Sequence, residues 1–259
     1  MNRLFRTFFI FLLLLSTRSG FAASYDNNIE INESRSNVAF KQAFSKELHG
    51  LYAIPSSSAI VIRQASADFD HLYAQADAAQ TELAQLLASI ADSPHYQLII
   101  PAIKSAQRAK QKVVNKFNGD ASQLTDLARA SIVTDNIYSL MTAFETLKDK
   151  GVIVQVKNRF AEPKASGYRD LNLLVKLPQT QMIAEVQLHL KSIAEIKSGA
   201  EHQVYEMVQN IEAEAKQQQR ALLPFEVAKI TQLRQQSHKL YHKAWLNYKR
   251  IDNARLIAA

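Results

Sequence analysis

Apolar residues at 69, 72, 76, 83, 86 and 90 recur at three- and four-residue steps. That spacing lines one face of an α-helix, and Ser66 stands where its N-cap belongs. Ser93 and Pro94 read as the cap and first position of a second helix. Pro101 restarts or kinks it before a long basic stretch reaching Phe117, and Asn118, Gly119 and Asp120 end it. A short apolar run at 130–133 predicts a first strand. Ile137, Leu140, Phe144 and Leu147 then return to the helical step, with Gly151 as C-terminal punctuation. Val152, Val154 and Val156 alternate as a strand. Leu171, Leu173, Val175 and Leu177 alternate again, as do Met182, Ala184, Val186, Leu188 and Leu190 beyond a turn at 178–180. From Lys191 onward the chain reads as helix, interrupted at Gly199 and near Pro224. Strand, helix, strand and hairpin in that order predict an α/β fold, a mixed β-sheet flanked by helices.

The two ends differ from this core. Arg3 and Arg6 precede an apolar run over 7–15 and small residues over 16–23, the layout of a signal peptide. The run is short of the ~20 residues of a membrane span, so cleavage after Ala22 or Ala23 is expected, leaving no membrane anchor and a periplasmic or secreted protein. Residues 24–60 show no sustained periodicity. The expected organisation is a leader at 1–23, a loosely ordered mature N-terminus at 24–65, a helical segment at 66–99, the α/β core at 100–210 and a helical extension at 211–259. Losing Arg3, Arg6 and Arg18 lowers the formal charge of +7 to +4. Such a surplus suits anionic small molecules and is too weak to argue for nucleic acid. Cysteine is absent, so core packing alone must hold the fold.

The hairpin carries the informative pattern. Side chains alternate between faces of a strand, so the face opposite the apolar one holds Tyr168, Asp170 and Asn172 on one strand and Glu185, Gln187 and His189 on the next. Folding about the turn sets Asn172 near Gln187 and Asp170 near His189. An ordinary half-exposed sheet also alternates in this way. Lys104, Arg108 and Lys112 are spaced four apart, which stacks them on one helix face. Such a row is either a solvated face or a match for the charge of a nucleoside triphosphate. Asp126, just before the first strand, and Glu185 are carboxylates suited to Mg²⁺, which takes one or two of them plus substrate phosphates.

The order of these pieces resembles the RelA/SpoT alarmone synthetase domain over residues 100–210. The basic helix is followed by Asp-Leu-Ala-Arg-Ala-Ser-Ile from 126, Ser-Gly-Tyr-Arg-Asp from 166, Glu-Val-Gln-Leu-His from 185, then His202 and Tyr205. The resemblance implies a nucleotidyltransferase-like fold and a transferase that moves the β,γ-diphosphate of ATP to a ribose 3′-hydroxyl. It implies that Lys104, Arg108 and Lys112 grip the donor phosphates, and that Asp126 and Glu185 hold Mg²⁺. Glu185 would orient or deprotonate the hydroxyl, Gln187 support it, and Tyr168 stack on the acceptor base. Arg129, Arg169, Asn172 and His189 would complete the nucleotide site, which His202 and Tyr205 would close, a structural histidine being the other reading of His202. The family pattern departs here: it has His where Asn172 stands, Gly and Arg where Arg129 and Ser131 stand, and Arg where His189 stands. These variants resemble a toxin-like branch that modifies other acceptors, such as adenine nucleotides or the tRNA end, so the acceptor is GTP or GDP, an adenine nucleotide or the tRNA end, with any immunity or target protein unknown. A non-catalytic nucleotide-binding domain and a helical periplasmic interaction protein are the competing expectations.

Overall fold

The computed structural model describes residues 46–57, 61–91 and 94–257, and the side chains up to residue 252. The expected leader and most of the 24–65 segment lie outside the described residues. The elements are α1 (Lys46–Ala53), α2 (Phe69–Ala88), β1 (Tyr96–Ile99), α3 (Ala106–Phe117), β2 (Arg129–Thr134), α4 (Ile137–Asp149), β3 (Ile153–Asn158), β4 (Leu171–Lys176), β5 (Ile183–Leu190), α5 (Lys191–Ser198), α6 (Ala200–Gln217) and α7 (Pro224–Ile257). One five-stranded mixed sheet runs β1-β2-β5-β4-β3. β2 and β5 are parallel, and every other neighbouring pair is antiparallel.

The alternation of the hairpin decides which face is covered. Leu171, Leu173 and Val175 of β4 and Ala184, Val186, Leu188 and Leu190 of β5 are buried. They join one core with Leu72, Ala76, Leu83 and Leu87 of α2 and Leu140, Phe144 and Leu147 of α4. Burying a side chain of this size contributes roughly 1.5–3 kcal/mol, so this face anchors the sheet and leaves the opposite one for chemistry. Two buried polar side chains fix the hairpin. Glu82 of α2 accepts from the backbone N–H of Gln179 and Thr180 at 2.6 and 2.9 Å. Gln64 accepts from Ile183 N–H and donates back to its carbonyl, both within 2.9 Å. Asn172 lies opposite Gln187 in the resulting register, as the sequence predicts.

Three local expectations are corrected. The stretch after Pro94 forms the edge strand β1, paired with β2, instead of starting a helix. Four residues are too few for alternation to show, and the prolines at 94 and 101 fit the ends of an edge strand. The helix α2 is capped by Asp68, whose carboxylate accepts from the N–H of Asp70 and His71, while Ser66 supports Asp68 from two residues before. Within the segment expected to be loosely ordered, α1 buries Leu48 and Leu51 against the core. Asn158 of β3 donates to the Leu51 and Ile54 carbonyls at 2.6 and 3.0 Å, so α1 is tied to the sheet by long-range contacts that no local pattern reveals. The breaks at Gly199 and Pro224 fall where the sequence puts them. Among the described residues no helix is long and apolar enough to cross a membrane.

Candidate active site

The uncovered face of β5 presents Glu185 and Gln187, both half-buried. Asn172 of β4 donates its side-chain amide to Glu185 Oε1 at 2.6 Å. Gln187 Oε1 accepts from Lys197 Nζ, also at 2.6 Å. Lys197 arrives on α5, one turn beyond the fully buried Ile193, so it projects inward from the helix's apolar side. Burial lowers its pKa, and Arg159 and Arg129 lower it further against the pull of Asp170 and Glu185. Across the parallel ladder, Arg129 of β2 is the register partner of Glu185.

Next along the hairpin the polar face closes into a packed network. Asp170 is fully buried and accepts from Arg159 Nη1 at 2.7 and 3.0 Å and from the Tyr168 hydroxyl at 2.7 Å. His189 Nε2 lies 2.7 Å from that same hydroxyl. The hydroxyl hydrogen is committed to the carboxylate, so His189 carries its proton on Nε2 and donates it to Tyr168. Its Nδ1 is buried without a partner. Burial, then Lys197 and Arg159, hold the His189 pKa well below the usual range, and burial next to Asp170 drives the Tyr168 hydroxyl well above its own.

This burial corrects three expected roles. Tyr168 retains 7% of its surface and packs edge-on against His189 and Tyr241, so its ring is a core element and not an open platform for a base. His189, 1% exposed, belongs to the same buried network. Arg169, between Tyr168 and Asp170 in the loop before β4, is tied to neighbouring elements. Its guanidinium lies 5.5 Å over the Trp245 ring and donates to the Phe160 carbonyl.

A second cluster sits where α3 meets the start of β2. Asp126 Oδ2 accepts from Lys104 and Lys112 at 2.7 and 2.6 Å. Burial works to raise the Asp126 pKa, and the two ammonium groups outweigh it and hold the carboxyl below its ordinary value. Lys104 precedes the helix, which Ser105 caps, so the expected three-residue helical row reduces to Arg108, which is exposed, and Lys112. Lys104 and Lys112 face a carboxylate instead of open solvent. Asp126 Oδ1 is buried and unpartnered, an orphaned hard oxygen of the kind Mg²⁺ takes. No cluster of three metal-ligating side chains occurs among the described residues. On α6, His202 pairs with Glu206 at 3.2 Å and stacks on Tyr205, both rings reaching solvent.

Sequence reasoning misses Arg159, Lys197 and also Lys164, whose ammonium lies 5.4 Å over the Tyr168 ring. Lys197 had a signal: four residues after Ile193, it falls on the apolar side of its helix, where a charge is unexpected. Arg159 and Lys164 sit in the loop between β3 and β4 and had none.

The five-stranded mixed sheet flanked by helices matches the fold of RelA/SpoT alarmone synthetases. Residues 102–210 match the region found in RelA/SpoT proteins. A (p)ppApp synthetase toxin, Tas1, of Pseudomonas aeruginosa (strain UCBPP-PA14) is 31% identical over 104 residues. That stretch is 40% of this chain and only 23% of the toxin's length. Two solved structures share the fold. The type VI effector Tas1, in complex with its immunity protein, aligns with a TM-score of 0.50 and 22% identity over 67% of this chain and 94% of its own. A GTP pyrophosphokinase family protein from Streptococcus pneumoniae aligns with a TM-score of 0.51 and 17% identity over 74% and 98%.

Proposed function

We propose that this protein is an exported nucleotide pyrophosphokinase that transfers the β,γ-diphosphate of ATP to the 3′-hydroxyl of an acceptor nucleotide, acting as a toxin or effector. The observation that carries the reading is Glu185, a half-buried carboxylate oriented by Asn172 on the one sheet face where cations gather. Glu185 takes the proton of the 3′-hydroxyl as its oxygen bonds to the β-phosphorus. The bond from that phosphorus to the α,β-bridging oxygen breaks, and AMP leaves. Lys104, Lys112 and Arg108 bind the donor phosphates, a task of positioning and charge neutralisation that dominates phosphoryl transfer. Tyr205 and His202 border the site from α6. Asp126, through its unpartnered oxygen, and Glu185 would hold Mg²⁺, which would supply charge neutralisation on the phosphates. The leader pattern of residues 1–23 supports export, and the similarity to a toxin supports the effector role.

Incubation of the mature protein with labelled ATP, Mg²⁺ and GTP, GDP, ATP or tRNA tests the proposal. A labelled pyrophosphorylated product is expected, and no transfer to any acceptor overturns it. ATP binding without product, unchanged in Glu185→Gln, establishes a nucleotide-binding domain without turnover.

A further inference from the structure

The last helix carries charge of one sign. Between Val227 and Ile251, α7 has six lysine and arginine residues and no acidic one. Among the described residues its ion pairs are Glu226 with Arg220 and Arg234 with Glu212, which leaves Lys229, Lys239, Lys243 and Arg250 uncompensated. Positions 229, 236, 243 and 250 fall every seventh residue, a step that returns to one face of a helix, and all four are exposed. They make a row about 30 Å long at ~1.5 Å per residue, and Lys239 borders it four residues before Lys243. Apolar side chains stand on the same face. Phe225, four before Lys229, is 69% exposed, and Leu240, four after Gln236, is 50% exposed. The opposite side of the helix buries Leu233, Tyr241, Trp245 and Tyr248, so α7 is fixed to the domain and its outer face cannot turn inward.

We propose that the outer face of α7 docks flat on an anionic lipid surface. Lys229, Lys239, Lys243 and Arg250 meet lipid phosphates, and Phe225 and Leu240 enter the headgroup layer. The charge is complementary to such a leaflet, whose potential acts within a Debye length and so reaches side chains lying in one plane. The exposed apolar side chains decide for lipid: inserted between headgroups they leave water while the cations on either side stay at the phosphates, the arrangement of a helix lying in a membrane interface. A nucleic-acid backbone accounts for the cations alone and leaves Phe225 and Leu240 in water. None of these residues belongs to the proposed transfer site.

Three forms of the mature protein are sedimented with vesicles, without nucleotide: wild type, Lys239→Gln with Lys243→Gln, and Phe225→Ser with Leu240→Ser. The vesicles are phosphatidylcholine alone or with about 30% phosphatidylglycerol. All four positions are exposed, so the variants are expected to fold, and thermal melts verify it. Binding to the anionic vesicles and not to the neutral ones is expected. It should weaken about 20-fold in the lysine variant, each cation at an anionic surface contributing about fivefold, and about fivefold or more in the apolar variant. No binding to anionic vesicles, equal binding to both kinds, or unchanged binding in either folded variant overturns the docking. Tighter binding to duplex DNA than to anionic vesicles, lost in the lysine variant, also overturns it and assigns the face to nucleic acid. Binding to polyglutamate without binding to vesicles does the same in favour of an acidic protein.

Discussion

Asn172 donates its amide to Glu185 across the β4 and β5 hairpin at 2.6 Å, so the carboxylate assigned to proton transfer is aimed by its neighbour. Glu185→Gln is isosteric, opens no cavity and changes a half-buried polar position, which typically moves stability by less than about 0.5 kcal/mol. Transfer should nevertheless fall by roughly 10²–10⁴-fold, the usual contribution of positioned acid-base catalysis. Asn172→Ala leaves the carboxylate present and unaimed, so its loss should be milder, about 10-fold. Single-turnover rates and melting curves on both variants check this; an active Glu185→Gln protein removes Glu185 from the chemistry, and an unfolded one makes it structural.

The clamp on Asp126 makes an asymmetric prediction. Lys112→Ala leaves Asp126 paired with Lys104, so stability should fall by only about 1 kcal/mol while the KM for ATP rises. Asp126→Ala leaves two partly buried ammonium groups facing each other, and breaking a buried pair from that side costs about 3 kcal/mol. Denaturant unfolding without nucleotide should rank Asp126→Ala well below Lys112→Ala. Equal losses would mean that solvent already screens the cluster.

What the sequence makes legible follows from range. Period two over eight residues of β5 places Glu185, Gln187 and His189 on one face, and the turn at 178–180 brings Asn172 opposite Gln187. Pattern does not report depth. Glu185 and His189 share a face, yet one is half-buried and the other sealed, because the helices α5 and α7 pack over the Tyr168 end of the hairpin. Tyr168 and His189 therefore look like ligand contacts in the sequence and turn out to be network members. A helical row at 104, 108 and 112 is equally blind to where the helix starts, and Ser105 capping removes Lys104 from it.

Tyr168→Phe separates the two roles of that residue. The hydroxyl is the bridge between Asp170 and His189, and its loss leaves buried polar atoms on both sides without their partner. That should cost about 1–3 kcal/mol. A base-stacking tyrosine would instead keep its function as phenylalanine and its stability too. Chemical denaturation should show the loss, and acceptor KM measured well below the melting temperature should stay unchanged.

The same network sets an acid limb on stability. His189 is buried and neutral, with its pKa held well below the ordinary value near 6.5. In the unfolded chain it takes up a proton as pH drops through about 6.5, while the folded protein does not, so the unfolded state binds more protons and stability falls with falling pH. The contribution is intact above about pH 6.5 and is lost progressively below it, at up to about 1.4 kcal/mol per pH unit, until the folded-state pKa is reached. Asp126 acts in a lower window: its folded pKa is depressed, so its contribution holds above the unfolded value near 4 and fades only as pH falls below that. His189→Gln keeps an amide able to donate to the Tyr168 oxygen and removes the titration. Melting temperatures between pH 7.5 and pH 5 should fall for the wild type and stay nearly level for His189→Gln, the two curves bending together only near pH 4. Parallel curves throughout would show that His189 gains its proton without unfolding, which the buried position it occupies, 1% exposed beside Lys197 and Arg159, argues against.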